Sequence, residues 1–342
     1  MRRSTRFSLV ILGALPVIAG AYTGYWFITA RQIENGVVAW AQSARNDKID
    51  VSWRKLRVVG FPETFRVELE AAMLHNTALT PSPEFYIPAV SATARPWDFA
   101  DWRLAARDGF GAEIAGSGER AAAKLRVKRA DGVVSIAREG GWKLWLNAQN
   151  STLEEVSRVL VNSADAWIIA PPKPPSQQAE PQLALAVDAT HIGLPVGISP
   201  LGDTIDELEF GATVRGPIRN GRLPQALAAW RDAGGKIDLD KLRLKWGGLD
   251  ATASGTMAFD TELQPTGVLS GGVQGYDEIL TALAQRGQIR AADAGLARIA
   301  LAMFAKAGPD GKPEIRTAFT IQNGQMFLGP ARLGKAPRLT WE

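Results

Sequence analysis

The chain opens on a long stretch without charge. From Phe7 to Ala30 there is no Asp, Glu, Lys or Arg. About 24 residues at the α-helical rise span ~36 Å, enough to cross a hydrocarbon core of ~30 Å. Arg2, Arg3 and Arg6 stand before the stretch, and Arg31 and Glu34 after it. Positive charge ahead of a span predicts a cytoplasmic amino terminus and an exported remainder. Tyr22, Tyr25 and Trp26 cluster at the far end, where amphipathic rings favour the headgroup layer, and Pro16 is tolerable within a membrane helix. A cleaved signal peptide is the competing reading, with Ala19-Gly20-Ala21 as the small-residue site. Because the apolar run continues well past that site, an uncleaved anchor over residues 1–30 is the expectation. Ile33, Val37, Trp40 and Ala41 then recur at helical spacing, which predicts a helix continuing to Asn46 and lifting the body off the bilayer.

The pattern changes to period two beyond that helix. Val51–Val59 alternates with one slip near Arg54-Lys55, the mark of a β-bulge. Phe65, Val67, Leu69, Ala71 and Met73 alternate with Arg66, Glu68 and Glu70. One wet face of this kind belongs to an antiparallel sheet. Further strands are predicted at Phe85–Ala94, Arg103–Arg107, Ala121–Lys128, Val133–Arg138 and Lys143–Ala148. Asp131-Gly132 is read as a hairpin turn setting Val127 opposite Ile136. Ser151–Trp167 is read as a helix with Leu153, Val156, Leu160 and Ala164 as its stripe, and Ser151 with Glu154 as a capping box. The Pro171–Pro175 run and the residues to 182 cannot enter a helix or an inner strand. They form either a linker between halves 31–170 and 183–342 or a long loop inside one continuous sheet.

In the second half, Leu183–Thr190 and Asp206–Val214 read as strands and Pro224–Ala233 as a short helix. A meander follows: Ile237 to Trp246 with a phase slip at Asp240-Lys241, then Asp250–Phe259 and Leu263–Gln274. Tyr276–Gln285 and Ala291–Lys306 read as helices covering one face. Asn323-Gly324 closes the sharpest hairpin, with Ile321 facing Met326 and Phe319 facing Leu328. A short match between Trp53–Val58 and Asp240–Leu244 leaves open whether the halves are internal repeats. The fold class is therefore α+β: an amino-terminal transmembrane helix, then a long, curved, mostly antiparallel meander with a few covering helices.

Composition narrows the chemistry. The chain has 342 residues and no cysteine, so disulfides, thiolate nucleophiles and cysteine-held metals are excluded. Its net charge is +4, and without the three leading arginines the rest is near neutral, which argues against a nucleic-acid partner. Lys124, Arg126 and Lys128 share one strand face, as either a solvated edge or an anionic contact. His75 and His191 have no Gly-x-Ser-x-Gly beside them. Gly116-Ser117-Gly118 matches a dinucleotide fingerprint only loosely. No catalytic residue, metal site or cofactor is assigned. Asp203, Asp206, Glu207 and Glu209 are candidates for a carboxylate hydrolase or for a wetted loop. Among the 11 tryptophans, Trp97, Trp102, Trp142 and Trp145 are the candidate ligand contacts, for sugar stacking or an apolar groove.

Several stretches together carry a resemblance: Gly60-Phe61-Pro62 before a strand, Arg95-Pro96-Trp97-Asp98, and Gly234–Leu239 running to Trp246-Gly247-Gly248-Leu249. Ser254-Gly255-Thr256-Met257 and Leu263-Gln264-Pro265-Thr266-Gly267 complete it. With these the chain resembles an uncharacterised bacterial family of membrane-anchored envelope proteins, and it is more remotely similar to AsmA-like proteins. The resemblance implies an inner-membrane protein, single-pass, with its body in the periplasm, binding lipid or an envelope component. A scaffold for a protein partner and a glycan hydrolase are the alternatives.

Overall fold

A computed structural model describes residues 2–77, 82–114, 123–155, 157–197, 201–218, 223–287, 289–308, 311–329, 331–336 and 338–339; side chains at 2–15, 47, 223, 328, 331 and 333 are not described. Helix α1 (Arg2–Ala44) leads into β1 (Ile49–Ser52), β2 (Lys55–Val59), β3 (Phe65–Asn76), β4 (Pro83–Arg95), β5 (Asp98–Ala106), β6 (Phe110–Ile114), β7 (Ala123–Ile136), β8 (Trp142–Glu154) and β9 (Arg158–Ala170). After the proline run come β10 (Pro181–Gly193), β11 (Thr204–Arg215), α2 (Leu223–Asp232), β12 (Lys236–Trp246), β13 (Leu249–Phe259) and β14 (Pro265–Gln274). Helices α3 (Tyr276–Gln285) and α4 (Ala291–Ala302), then β15 (Lys306–Ala307), β16 (Pro313–Gln322), β17 (Gln325–Leu328) and β18 (Ala331–Lys335), complete the chain.

Among the described residues, 18 strands form one sheet, and every ladder between them is antiparallel. Short β1 and β2 lie end to end along β3. Likewise β5 and β6 share the lane between β4 and β7. From β7 onward each strand pairs with the next through to β14, which pairs with β16, then β17 and β18. The proline run joins β9 to β10, which pair with each other, so the sheet continues across that point. The joining segment is tied down: the Glu180 carboxylate accepts the Ser176 and Gln177 amides at 2.7 and 3.2 Å. Those amides hold its pKa below the usual carboxylate value.

Two features locate the core. Helix α1 lies along the β1–β3 edge. Trp26 and Ala30 pack on Phe65, with Ile33, Val58 and Phe99 around them, and Ala41 and Ala44 pack on Val51. At the ends of β11–β13, α2 sets Trp230 and Leu227 against Leu263, Val214, Ile237 and Phe259. The Trp230 indole donates to the Arg215 carbonyl at 2.7 Å, which satisfies the one polar atom of a ring that is 2% exposed.

The expected strands of the second half, its helices and the Asn323-Gly324 hairpin are present, with Ile321 opposite Met326 and Phe319 opposite Leu328. The slip at Asp240-Lys241 is a bulge. Against β11, Lys241 pairs with Gly211 and Leu239 with Ala212, leaving Asp240 over. Five expectations need correction. Ser151–Trp167 is no helix but the end of β8 and most of β9; of its supposed stripe, Leu153 and Leu160 are exposed and Val156 lies outside the described residues. Asp131-Gly132 makes no turn, because both lie inside β7, and Val127 pairs with Phe110 and Ser151. In β3 the alternation flips at Ala71, whose φ is 50°, so Ala72 is buried and Met73 exposed. Trp40 is exposed, and the buried stripe of α1 runs Trp26, Ala30, Ala41 and Ala44 instead. Finally, from Trp26 onward α1 packs on the body rather than standing clear of it.

Candidate binding face

Residues opposite one another in a ladder project to the same side of a sheet, so register alone sorts the two faces. One row reads Val58, Val67, Ala92, Leu104, Gly132, Leu146, Ala166, Val187, Phe210, Leu242, Ala253 and Gly271, one residue from each of twelve strands from β2 to β14, with β5 standing for the lane it shares with β6. It contains no polar side chain. A parallel row, Trp102, Val134, Leu144, Ile168, Leu185, Ala212, Leu239, Gly255, Leu269 and Phe319, is also wholly apolar. At the usual spacing between strands the first row is about 50 Å long.

The row between the two apolar ones is mixed, with Arg103 and Lys241 at its ends and Val133, Trp145, Trp167, Ala186 and Gly211 within it. The row flanking the first apolar row on its other side projects to the opposite face and is nearly all polar: Arg57, Glu68, Ser91, Ala105, Asp131, Asn147, Asp165, Asp188, Glu209, Arg243 and Thr252. Its charges are largely matched across the ladder. Arg57 meets Glu68 at 2.8 Å, Lys245 meets Glu207 at 2.6 Å, Lys241 meets Glu209, and Arg243 meets Asp250 at 2.9 Å. Hydrogen bonding to Lys245 lowers the Glu207 pKa. Asp188 is the exception: desolvation, then the neighbouring Glu209 and Asp165 charges, raise its pKa against the opposing pull of Lys241.

The apolar rows stay continuous where the strands change phase. Asn150 and His191 adopt φ of 51° and 52° at matching heights in β8 and β10. Beyond them Ser151 and Ile192 are buried, as Ala189 is before them. A one-residue step in the alternation therefore keeps the same face dry. Helix α1 covers the face at β2 and β3, and α2 covers the strand ends of β11–β13. Among the described residues no helix packs extensively on the sheet between β4 and β10. There the side chains are half-buried by one another, as in the cluster of Ala106, Val127 and Ala130 with Ile87, Phe110, Leu125, Leu146 and Ala148.

The four candidate tryptophans do not converge. Trp102 is in the apolar row, its indole donating to Phe99 O at 3.1 Å. Trp142, 41% exposed, shares that face with Leu144 at the start of β8. Trp145 projects to the polar face, opposite Trp167, and donates to Asp165 Oδ1 at 3.0 Å. Trp97 caps the β4–β5 turn, 73% exposed. Of the acidic candidates, Glu207 and Glu209 are held by lysines, and the Asp203 carboxylate accepts the Gly197 amide at 3.0 Å. Lys124 meets Glu113 at 2.8 Å and Arg126 meets Glu154 at 3.4 Å, so much of that basic strand face is neutralised. The Gly116-Ser117-Gly118 stretch lies outside the described residues. Among the described residues there is no group of metal-ligating side chains. The apolar row is a larger feature than any single tryptophan. Its signal was the apolar phase of every strand, which becomes a surface only once register aligns the strands.

Fold and face together define an open antiparallel meander with one dry and one wet side. The chain belongs to the family described as "uncharacterized protein conserved in bacteria" (DUF2125), whose match covers residues 26–337. No curated protein and no solved structure matches it. Among the described residues no helix is long and apolar enough to cross a membrane; the uncharged stretch of α1 begins at Phe7, and its side chains are described only from residue 16.

Proposed function

We propose that this protein is a single-pass inner-membrane protein, anchored by residues 7–30, whose body acts in the periplasm by holding the acyl chains of lipids, in the manner of AsmA-like envelope proteins. The observation that carries the reading is the apolar row from Val58 to Gly271, uncovered by helices over its middle. About 50 Å of dry surface exceeds the ~30 Å hydrocarbon core, so a lipid tail has room anywhere along it. Burial there returns roughly 25 cal/mol per Å² of apolar surface to tail and sheet alike. The three leading arginines and the uncharged stretch support the anchor and its orientation.

Full-length protein extracted with mild detergent and analysed by native mass spectrometry is expected to retain lipid. Phe210→Asp and Leu146→Asp should each lose it while strand content by circular dichroism is kept. Lipid-free wild-type protein, or retention unchanged in both variants, refutes the binding reading. A reporter enzyme fused after Glu342 should be active only outside the cytosol.

A second reading rests on α4, whose Leu296 and Ile299, with Met303 and Phe304 just beyond its end, are 65–81% exposed. An apolar helix face of this kind fits a protein partner. Site-specific crosslinking from Ile299 to one stoichiometric protein, with no lipid retained by the body, would favour it.

A further inference from the structure

The way α1 is tied to the sheet bears on how the body meets the bilayer. The Tyr25 hydroxyl donates to Pro96 O at 2.8 Å, the Trp26 indole to Thr64 O at 3.2 Å, and the Tyr22 hydroxyl to Pro62 O. Trp26 stacks on Phe65, ring centres 5.0 Å apart, and Phe27 stacks on Phe61 at 5.7 Å. The end of the uncharged stretch is thus fixed to two turns, residues 60–64 ahead of β3 and 95–97 between β4 and β5. Beside these ties, Phe27, Ile28, Phe61 and Trp97 are 45–73% exposed. Arg31 and Arg95 are exposed beside them.

We propose that these two turns, with Tyr22–Ile28, form a seat that lies in the headgroup layer of the bilayer the anchor crosses. This rests on the anchor reading above. The occupant follows from chain continuity, since Tyr22–Ile28 belong to the same uncharged stretch as residues 7–21, and the medium that surrounds one adjoins the other. Exposed aromatic rings flanked by arginine suit that layer, where the ring body is dry and the polar edge is wet. A body so seated is held at the β2–β5 edge, and the apolar row begins at the membrane surface.

The absence of native cysteine allows one-site labelling of the full chain. Val10→Cys, Phe61→Cys, Trp97→Cys and Val196→Cys each carry an environment-sensitive nitrobenzoxadiazole probe, in vesicles of phosphatidylethanolamine and phosphatidylglycerol. Val196, 89% exposed and at the opposite strand ends, is the aqueous reference. The seat requires the Val10 probe to respond to quenchers carried on the lipid chains, and the Phe61 and Trp97 probes to respond most to shallow ones. A Val10 probe quenched from the lipid, with Phe61 and Trp97 probes indistinguishable from Val196, overturns the seat and leaves the anchor standing. A Val10 probe in water overturns the anchor, and the seat with it. Phe61 and Trp97 probes shielded from iodide yet untouched by lipid quenchers would mean a protein contact, which also overturns the seat.

Discussion

Trp26 is 3% exposed and Phe65 fully buried, and their stacked rings join the helix to the sheet. Trp26→Ala removes a large buried ring and an indole hydrogen bond. The cost is expected at roughly 3–5 kcal/mol, read as a lowered urea midpoint and as earlier proteolysis after Arg31. Asp188 gives a prediction of opposite sign. Its folded pKa lies above the unfolded value, so the carboxylate destabilises the fold at neutral pH, and the penalty fades as pH falls through the folded pKa. Asp188→Asn is therefore expected to raise the melting temperature at pH 7, with the gain shrinking in acid. A gain that grows toward low pH would contradict this. Glu180 runs the other way: its lowered pKa contributes stability above the unfolded value that is lost as pH falls through the folded one. Glu180→Gln should weaken the melting temperature at pH 7 and become neutral in acid.

Among the elements, the hairpin at Asn323-Gly324 shows where local chemistry suffices. Both residues have positive φ, 50° and 66°, which Asn and Gly tolerate in a two-residue turn, and the apolar pairing of Ile321 with Met326 sets the register. Gly324→Val is expected to destabilise by about 1 kcal/mol or more, with hydrogen exchange raised first in β16 and β17. Elsewhere local signals misled. Asp131-Gly132 has the residues of a turn, yet β7 runs through it. A Cβ at Gly132 would lie 2.5 Å from Trp145 O, so the glycine is there to let β8 approach. Ser151–Trp167 has apolar residues at helical spacing, but ladder pairing to β7 and β10 outweighs that periodicity. The strand phases of β11–β14 and even the Asp240 bulge were legible because their alternation is clean. The phase flip at Ala71 was not, since the adjacent small side chains of Ala71 and Ala72 hide which side is dry.

For the whole molecule, fold class could be read from sequence, but the candidate face could not. Each strand shows its own apolar phase, whereas a 12-strand row exists only through register, and its dry phase depends on left-handed residues at Asn150 and His191 and on the bulge at Asp240. The same dependence explains why the tryptophans were poor guides. Their size makes them conspicuous singly, but Trp102 and Trp145 end on opposite faces. The ladder has a further consequence for assembly. From β7 to β14 every strand pairs with its immediate predecessor, and α1 docks on β1–β3 and the β4–β5 turn. Such a chain has short loops to close at each step, and each newly emerged segment finds its partner already in place. Growth can thus proceed one hairpin at a time from the amino end, with no wait for the carboxyl terminus.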